Sequence, residues 1–175
     1  MKIIVASLAF ACLSGLFPVL AAPGSSVTPQ ARTDIEAAGC FVPTPDGVVV
    51  GISTFGDIRI PMGSHRSGET AGETAIRETR EETGLEVRVG RLLRTFENGR
   101  VLLFLCEPRT PINDYSQLTP TDTFEIAQVI VLDPVSMRTP DGRKITSRWR
   151  FAETRALLGE LFTNYKAQNH TERRR

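Results

Sequence analysis

The segment from Gly63 to Leu85 constrains this chain more than any other. It reads Gly63, five residues, Glu69, seven residues, then Arg77-Glu78-Thr79-Arg80-Glu81-Glu82-Thr83-Gly84-Leu85. The stretch from Thr70 to about Thr83 predicts a helix, acid-rich near its start and closed by Gly84. On that helix Glu78, Glu81 and Glu82 fall at i, i+3 and i+4, so their carboxylates share one face. They also crowd the last turn, where the helix dipole disfavours negative charge. Arg77 and Arg80 offset part of the repulsion. An acidic stripe is usually a solvated face. Here, however, Gly63 and Gly68 bracket a loop that delivers Glu69 near the other end of the same helix. Magnesium is held by a few carboxylates together with water and substrate phosphates, and a set of acids that repel one another is what a dication stabilises.

These residues resemble a complete Nudix box, Gly-x5-Glu-x7-Arg-Glu-U-x-Glu-Glu-x-Gly-U with U a bulky aliphatic. Gly63, Glu69, Arg77, Glu78, Glu81, Glu82 and Gly84 match its fixed positions, and Leu85 its last aliphatic place. Thr79 departs at the other aliphatic place without removing a ligand. The resemblance covers about Ala38 to Lys166 and implies an α/β (α+β) Nudix fold: a mixed β-sheet sandwiched between helices, with the box as loop-helix-loop. It implies that Glu81 and Glu82 are the main metal ligands, with Glu78 a ligand or general base. Glu69 and Arg77 would tie helix to loop and orient the carboxylates. The cofactor implied is Mg2+, with Mn2+ as substitute, and the reaction is attack of metal-activated water on a diphosphate. Members often take a further base from a later strand or loop, and Glu125 is the candidate.

Arg59 to Glu69 is similar to the Pro-Lys-Gly loop of the diadenosine polyphosphate hydrolases and the diphosphoinositol polyphosphate phosphohydrolases. Met62 stands where lysine is usual, and Arg66 where an acid often sits. Gly90 to Asn98 resembles the Gly-Arg-Leu…Phe-Glu-Asn stretch of the inositol-pyrophosphate branch. Ser53, Thr54, Arg59, His65, Arg66 and Arg100 are the expected phosphate contacts. The expectation is therefore removal of the β-phosphate of an inositol pyrophosphate. Two alternatives stand beside it: hydrolysis of diadenosine polyphosphates, ADP-ribose, NADH or capped RNA, and a non-catalytic effector that binds a host protein.

The chain has 175 residues, enough for one domain with a core. Residues 1–21 have the order of a secretory signal: Lys2, an apolar run, Pro18, then small residues. On this reading the protein is secreted and resembles the exported Nudix effectors of plant-associated filamentous microbes, which enter host cells. No membrane insertion is expected once the signal is removed. Residues 22–36 read as a flexible lead-in, 37–166 as the Nudix domain and 167–175 as a disordered basic tail carrying the Asn169-His170-Thr171 glycosylation triplet. Loss of Lys2 takes 21 basic residues to 20, against 20 acidic ones, which argues against a duplex nucleic-acid binder. Cys40 and Cys106 remain after export, and the sequence leaves open whether they form a disulfide or are two small buried hydrophobes.

Strands are expected at Gly39–Pro43, Val48–Ser53, Ile58–Pro61, Leu85–Phe96 with a bend near Gly90, Arg100–Cys106 and Phe124–Leu132. Asn98-Gly99 marks a hairpin turn and Pro108–Asp122 a long loop. Gly63–Gly68 reads as loop, and about Ser147 to Lys166 as a final amphipathic helix.

Overall fold

The computed structural model describes residues 34–172. The signal segment 1–21, most of the lead-in and the last residues of the tail lie outside the described residues. Seven strands and two helices follow in chain order: β1 (Ala37–Phe41), β2 (Val48–Ser53), β3 (Ile58–Arg59), β4 (Met62–Ser64), α1 (Ala71–Thr83), β5 (Val87–Phe96), β6 (Val101–Pro108), β7 (Ile126–Leu132) and α2 (Ala152–Glu172). They build a mixed four-stranded sheet, β4-β1-β6-β5, in which β1 runs parallel to β6, and an antiparallel three-stranded sheet, β3-β2-β7. The expected α+β architecture is what the chain adopts.

Strand alternation decides which helix each side chain meets, because successive residues of a strand point to opposite faces. Ala38, Cys40 and Val42, with Val49, Leu102, Cys106, Val129 and Val131, form one cluster under Ala71 and Ala75 of α1. Phe41, Val48, Val50, Leu103, Ile130 and Leu132 have the other parity and gather under Leu158 and Phe162 of α2. The sheets therefore lie between the two helices, with an apolar layer on each side. Cys40 and Cys106 are disulfide-bonded with a Cα separation of 5.5 Å, linking β1 to β6 beneath α1. The bond joins positions 66 residues apart, so it restricts the unfolded chain strongly.

Three stretches differ from the sequence expectation. Gly63 and Ser64, expected to open the Gly63–Gly68 loop, belong with Met62 to a short strand because Met62–Ser64 pairs antiparallel with Ala37–Gly39 of β1. The final helix begins at Ala152 rather than near Ser147, because Trp149 forms a parallel bridge with Ile58 and extends the second sheet. It then runs on through Glu172, past Lys166, so Asn169 sits in helix rather than in a frayed tail. The Asn98-Gly99 turn is wider than a two-residue hairpin: four residues, Glu97 to Arg100, join the paired Phe96 and Val101, and Glu97, Asn98 and Gly99 all have positive φ.

Candidate functional site

Helix α1 is fixed at its start by a capping box. The Thr70 hydroxyl accepts from Glu73 N, while the Glu73 carboxylate accepts from Thr70 N at 2.7 Å. Buried threonines line its core face. Thr79, at the box's aliphatic position, donates to the Ala75 carbonyl at 2.7 Å, and Thr83 donates to the Thr79 carbonyl at 2.6 Å. The hydroxyl that replaces an aliphatic group is thus satisfied within the helix.

Arg77 is the hub of the N-terminal half. Its Nε donates to Glu69 Oε1 at 2.7 Å and its Nη2 to Glu69 Oε2 at 3.0 Å, a bidentate pair. The same guanidinium reaches Glu78, Glu81 Oε2 at 3.1 Å and the Ser64 carbonyl at 2.8 Å. Loop, helix and β4 are therefore held by one cation. Glu69 also accepts from Thr74 Oγ1 and from Arg66 N. The Arg77 bond holds its carboxyl well below the usual range, at about 2. His65 joins this network through Thr74. Its Nδ1 is 3.0 Å from Thr74 Oγ1, whose one proton goes to Glu69, so Nδ1 is the donor.

The C-terminal half is organised differently. Glu82 is buried, and its carboxylate accepts from Met62 N at 3.0 Å. Burial pushes its carboxyl up to about 8. The Met62 N–H opposes that rise, and the neighbouring charges of Glu78 and Glu125 add to it. Burial likewise raises Glu78, against the pull of Arg77. Gly63 explains how Glu78 fits: a Cβ there would stand 2.3 Å from the Glu78 carboxyl, so only glycine lets this acid lie against β4. The helix ends at Gly84, whose φ of 75° is left-handed. Its missing Cβ also makes room for the Thr119 carbonyl, which would otherwise sit 2.5 Å away.

The long loop before β7 then docks on this end. Thr121 N and Asp122 N both donate to the Glu81 carbonyl, at 2.8 and 2.9 Å, satisfying a backbone acceptor that the helix end leaves free. The docking brings Glu125 into the field of Glu82. Arg59 Nη1 is 3.9 Å from Glu125, and Arg59 Nε is anchored on Asp57 at 2.7 Å. Arg66, with its side chain 61% exposed, stands 3.5 Å from Glu81. Two guanidiniums therefore flank the carboxylates.

Of the other expected phosphate contacts, three are committed elsewhere. The Ser53 hydroxyl accepts from Phe55 N and Asp57 N inside the β2–β3 hairpin. Thr54 Oγ1 donates to the Phe124 carbonyl at 3.1 Å. Arg100 pairs with Glu36 and Glu97 at the start of β6. Sequence reasoning missed the Met62 N–H, the Thr74 hydroxyl and the Glu81 carbonyl. Each depends on a contact between segments that are distant in the chain or separated by a turn.

Among the described residues no three His, Cys, Asp or Glu side chains close into a metal cage. Arg77 is bonded to both Glu78 and Glu81. The donors nevertheless fit a magnesium ion, which needs hard oxygens and completes its shell with phosphate and water. They include two desolvated carboxylates, Glu78 and Glu82, beside Glu81 and Glu125.

The box residues thus stand together on one helix and its preceding loop, with Arg59 and Arg66 beside the acids. The NUDIX domain model matches residues 33–149, and the chain belongs to the NUDIX domain family. Hydrolases of that family generally use Mg2+ or Mn2+. In fold the chain is similar to an ADP-ribose pyrophosphatase from Streptococcus suis, at 18% identity and a TM-score of 0.54 over 74% of this chain and 92% of that one. It is similar to a UDP-X diphosphatase at 18% identity and a TM-score of 0.54, over 80% and 68% of the two chains. A C. elegans Ap4A hydrolase aligns at 19% identity and a TM-score of 0.52, over 76% and 99%. None of the curated proteins compared with the chain matches it.

Proposed function

We propose that the protein is a divalent-metal-dependent hydrolase that cleaves the phosphoric anhydride of a nucleoside diphosphate derivative. The observation that carries this reading is the pair of desolvated acids, Glu78 and Glu82, packed against Met62 and Gly63 with Glu125 alongside. Magnesium or manganese held by Glu78, Glu81 and Glu82 would neutralise the diphosphate and activate a water. Arg77 keeps those acids in register through Glu69 and the Ser64 carbonyl. Glu125 takes the proton of the attacking water as the new P–O bond forms and the bridging P–O bond breaks. Arg59 and Arg66 meet the phosphate oxygens.

Charge supports the choice of substrate. Two arginines flank the acids, Arg59 held beside Glu125 by its Asp57 anchor, whereas Ser53, Thr54 and Arg100 are bonded away from the acids and His65 braces the loop. That complement suits one diphosphate better than a ring crowded with phosphates. Inositol pyrophosphates remain the second reading, favoured by the exposed Arg66 in a loop that His65 also makes basic. Secretion is part of the proposal: the Cys40–Cys106 disulfide suits an oxidising compartment. Action as a virulence effector inside a host cell rests on the leader-like residues 1–21 and the resemblance to exported Nudix effectors.

The test is release of phosphate or nucleoside monophosphate by the purified protein, with magnesium and with a chelator. The substrates are ADP-ribose, diadenosine tetraphosphate, a UDP-sugar, capped RNA and a diphosphoinositol pentakisphosphate. Turnover of nucleotide substrates that stops with chelator and falls by more than about 100-fold in Glu82→Gln is expected, since even outer-shell changes at metal sites cost about 10–100-fold. Turnover confined to the inositol compound selects the second reading. A biological effect retained in full by Glu82→Gln identifies a binder instead of an enzyme.

A further inference from the structure

Two phenylalanines stand out of the surface beside the carboxylates. Phe55 is 88% exposed and Phe124 is 90% exposed, although apolar rings of that size gain most from burial. Their backbones are nevertheless pinned. Phe55 N donates to Ser53 Oγ at 3.2 Å, and Phe124 N donates to Asp122 Oδ1 at 2.9 Å. Thr54 ties the two segments together, its N–H donating to the Glu125 carbonyl at 3.0 Å and its hydroxyl to the Phe124 carbonyl. One ring therefore follows Thr54 in the chain, the other precedes Glu125, and Thr54 and Glu125 are hydrogen-bonded neighbours. Glu125 in turn acts on Glu82 and stands near Arg59. Ser53 and Thr54, singled out in the sequence for phosphate, instead build the rim that presents these rings.

We infer that Phe55 and Phe124 are the specificity-determining residues of the site: they grip the nucleobase of the substrate by stacking while its diphosphate lies on the carboxylates. This rests on the nucleoside diphosphate reading above and adds the residues that recognise the base. The occupant follows from the neighbourhood. A ligand that offers a flat apolar face joined to a polyanion is a nucleotide, and segments pinned at the backbone keep both rings at the rim, which lowers the ordering cost of binding. Phenylalanine has no hydrogen-bonding group, so the grip reads the π-face and not the base edge. Purine and pyrimidine substrates should both be accepted, the larger purine binding more tightly.

The experiment compares the wild type with Phe55→Ala, Phe124→Ala and the double variant, using ADP-ribose and a UDP-sugar as base-bearing substrates and phosphoribosyl diphosphate as a base-free one. The double variant is expected to lower the ratio of base-bearing to base-free kcat/KM by about tenfold or more, chiefly through KM, with Phe124→Trp keeping most of it. An unchanged ratio overturns the inference. Calorimetry with α,β-methylene-ADP, which needs no turnover, reads the rings separately: binding weakened by both alanine changes supports the grip, and binding indifferent to them, or absent in the wild type, overturns it. Failure of the hydrolase reading would show instead as a wild type that turns over none of the diphosphates.

Discussion

Helix α1 carries carboxylates at both ends, and the two ends live under opposite conditions. At the start, Glu69 in the loop just before the Thr70 cap has a bidentate arginine, a threonine hydroxyl and a backbone N–H, and Glu73 in the first turn closes a capping box. Every charge there is answered. At the last turn Glu82 is buried with the Met62 N–H as its hydrogen-bond donor, and Glu78 and Glu125 press like charge on it. The same helix therefore has a start that secures the fold and an end that strains it. Acids left short of positive charge in a packed structure are the groups a dication and a phosphate would satisfy. The difference between the ends locates the chemistry better than the number of acids does.

The largest expected effect comes from removing the cation that serves both ends. Arg77→Ala leaves Glu69, Glu78 and Glu81 without their shared partner, and Arg77 is largely shielded from solvent. Breaking a buried ion pair from one side costs about 3–5 kcal/mol. A urea midpoint lowered accordingly, with turnover lost as well, is the expected result. A loss of turnover with unchanged stability would mean that Arg77 does not secure the first turn.

Much of this helix was legible in the sequence. The i, i+3, i+4 spacing, the closing Gly84 and the bracketed Glu69 are local facts, and local facts survive folding. The strands at Gly39–Pro43 and Val48–Ser53 were legible for the same reason, but which of their side chains would meet which helix was not, because apolar residues occupy both faces there. Glu125 was named, but its approach to Glu82 depends on a long loop whose Thr121 and Asp122 amides seek the Glu81 carbonyl. No spacing rule encodes that meeting. Ser53, Thr54, His65 and Arg100 went to other partners because a hydroxyl, an imidazole or a guanidinium bonds whatever tertiary structure places nearest. Strand β4 was hidden because Met62-Gly63-Ser64 owes its form to β1 rather than to its own propensity.

The strained end is tested by pH. A carboxyl raised from 4.5 to about 8 on folding keeps its proton in the folded chain after the unfolded chain has lost it. Between those values the folded state binds more protons, so this group lowers stability as pH rises through the window. Glu69 has the opposite sign: held at about 2, it contributes stability above its ordinary value of 4.5 that is lost as pH falls through that value toward 2. In metal-free protein, Glu82→Gln should remove the loss between about pH 5 and about pH 8 and raise stability at the alkaline end by at least ~1 kcal/mol, one pKa unit being ~1.4 kcal/mol. Chemical denaturation at several pH values in chelator checks it. A variant whose pH profile parallels the wild type would show that Glu82 carries no such strain.

The smallest effect probes the secure end without touching the acids that flank the cleft. Thr70→Ala removes the hydroxyl that accepts from Glu73 N and breaks the capping box, leaving a first-turn N–H to water. Caps of this kind contribute about 1 kcal/mol. The expected outcome is a modest fall in thermal midpoint with kcat nearly intact, because Arg77 still joins Glu69 to Glu78 and Glu81. If kcat instead drops together with stability, the first turn sets the position of the carboxylates at the last, and the two ends act as one rigid lever rather than as separate devices.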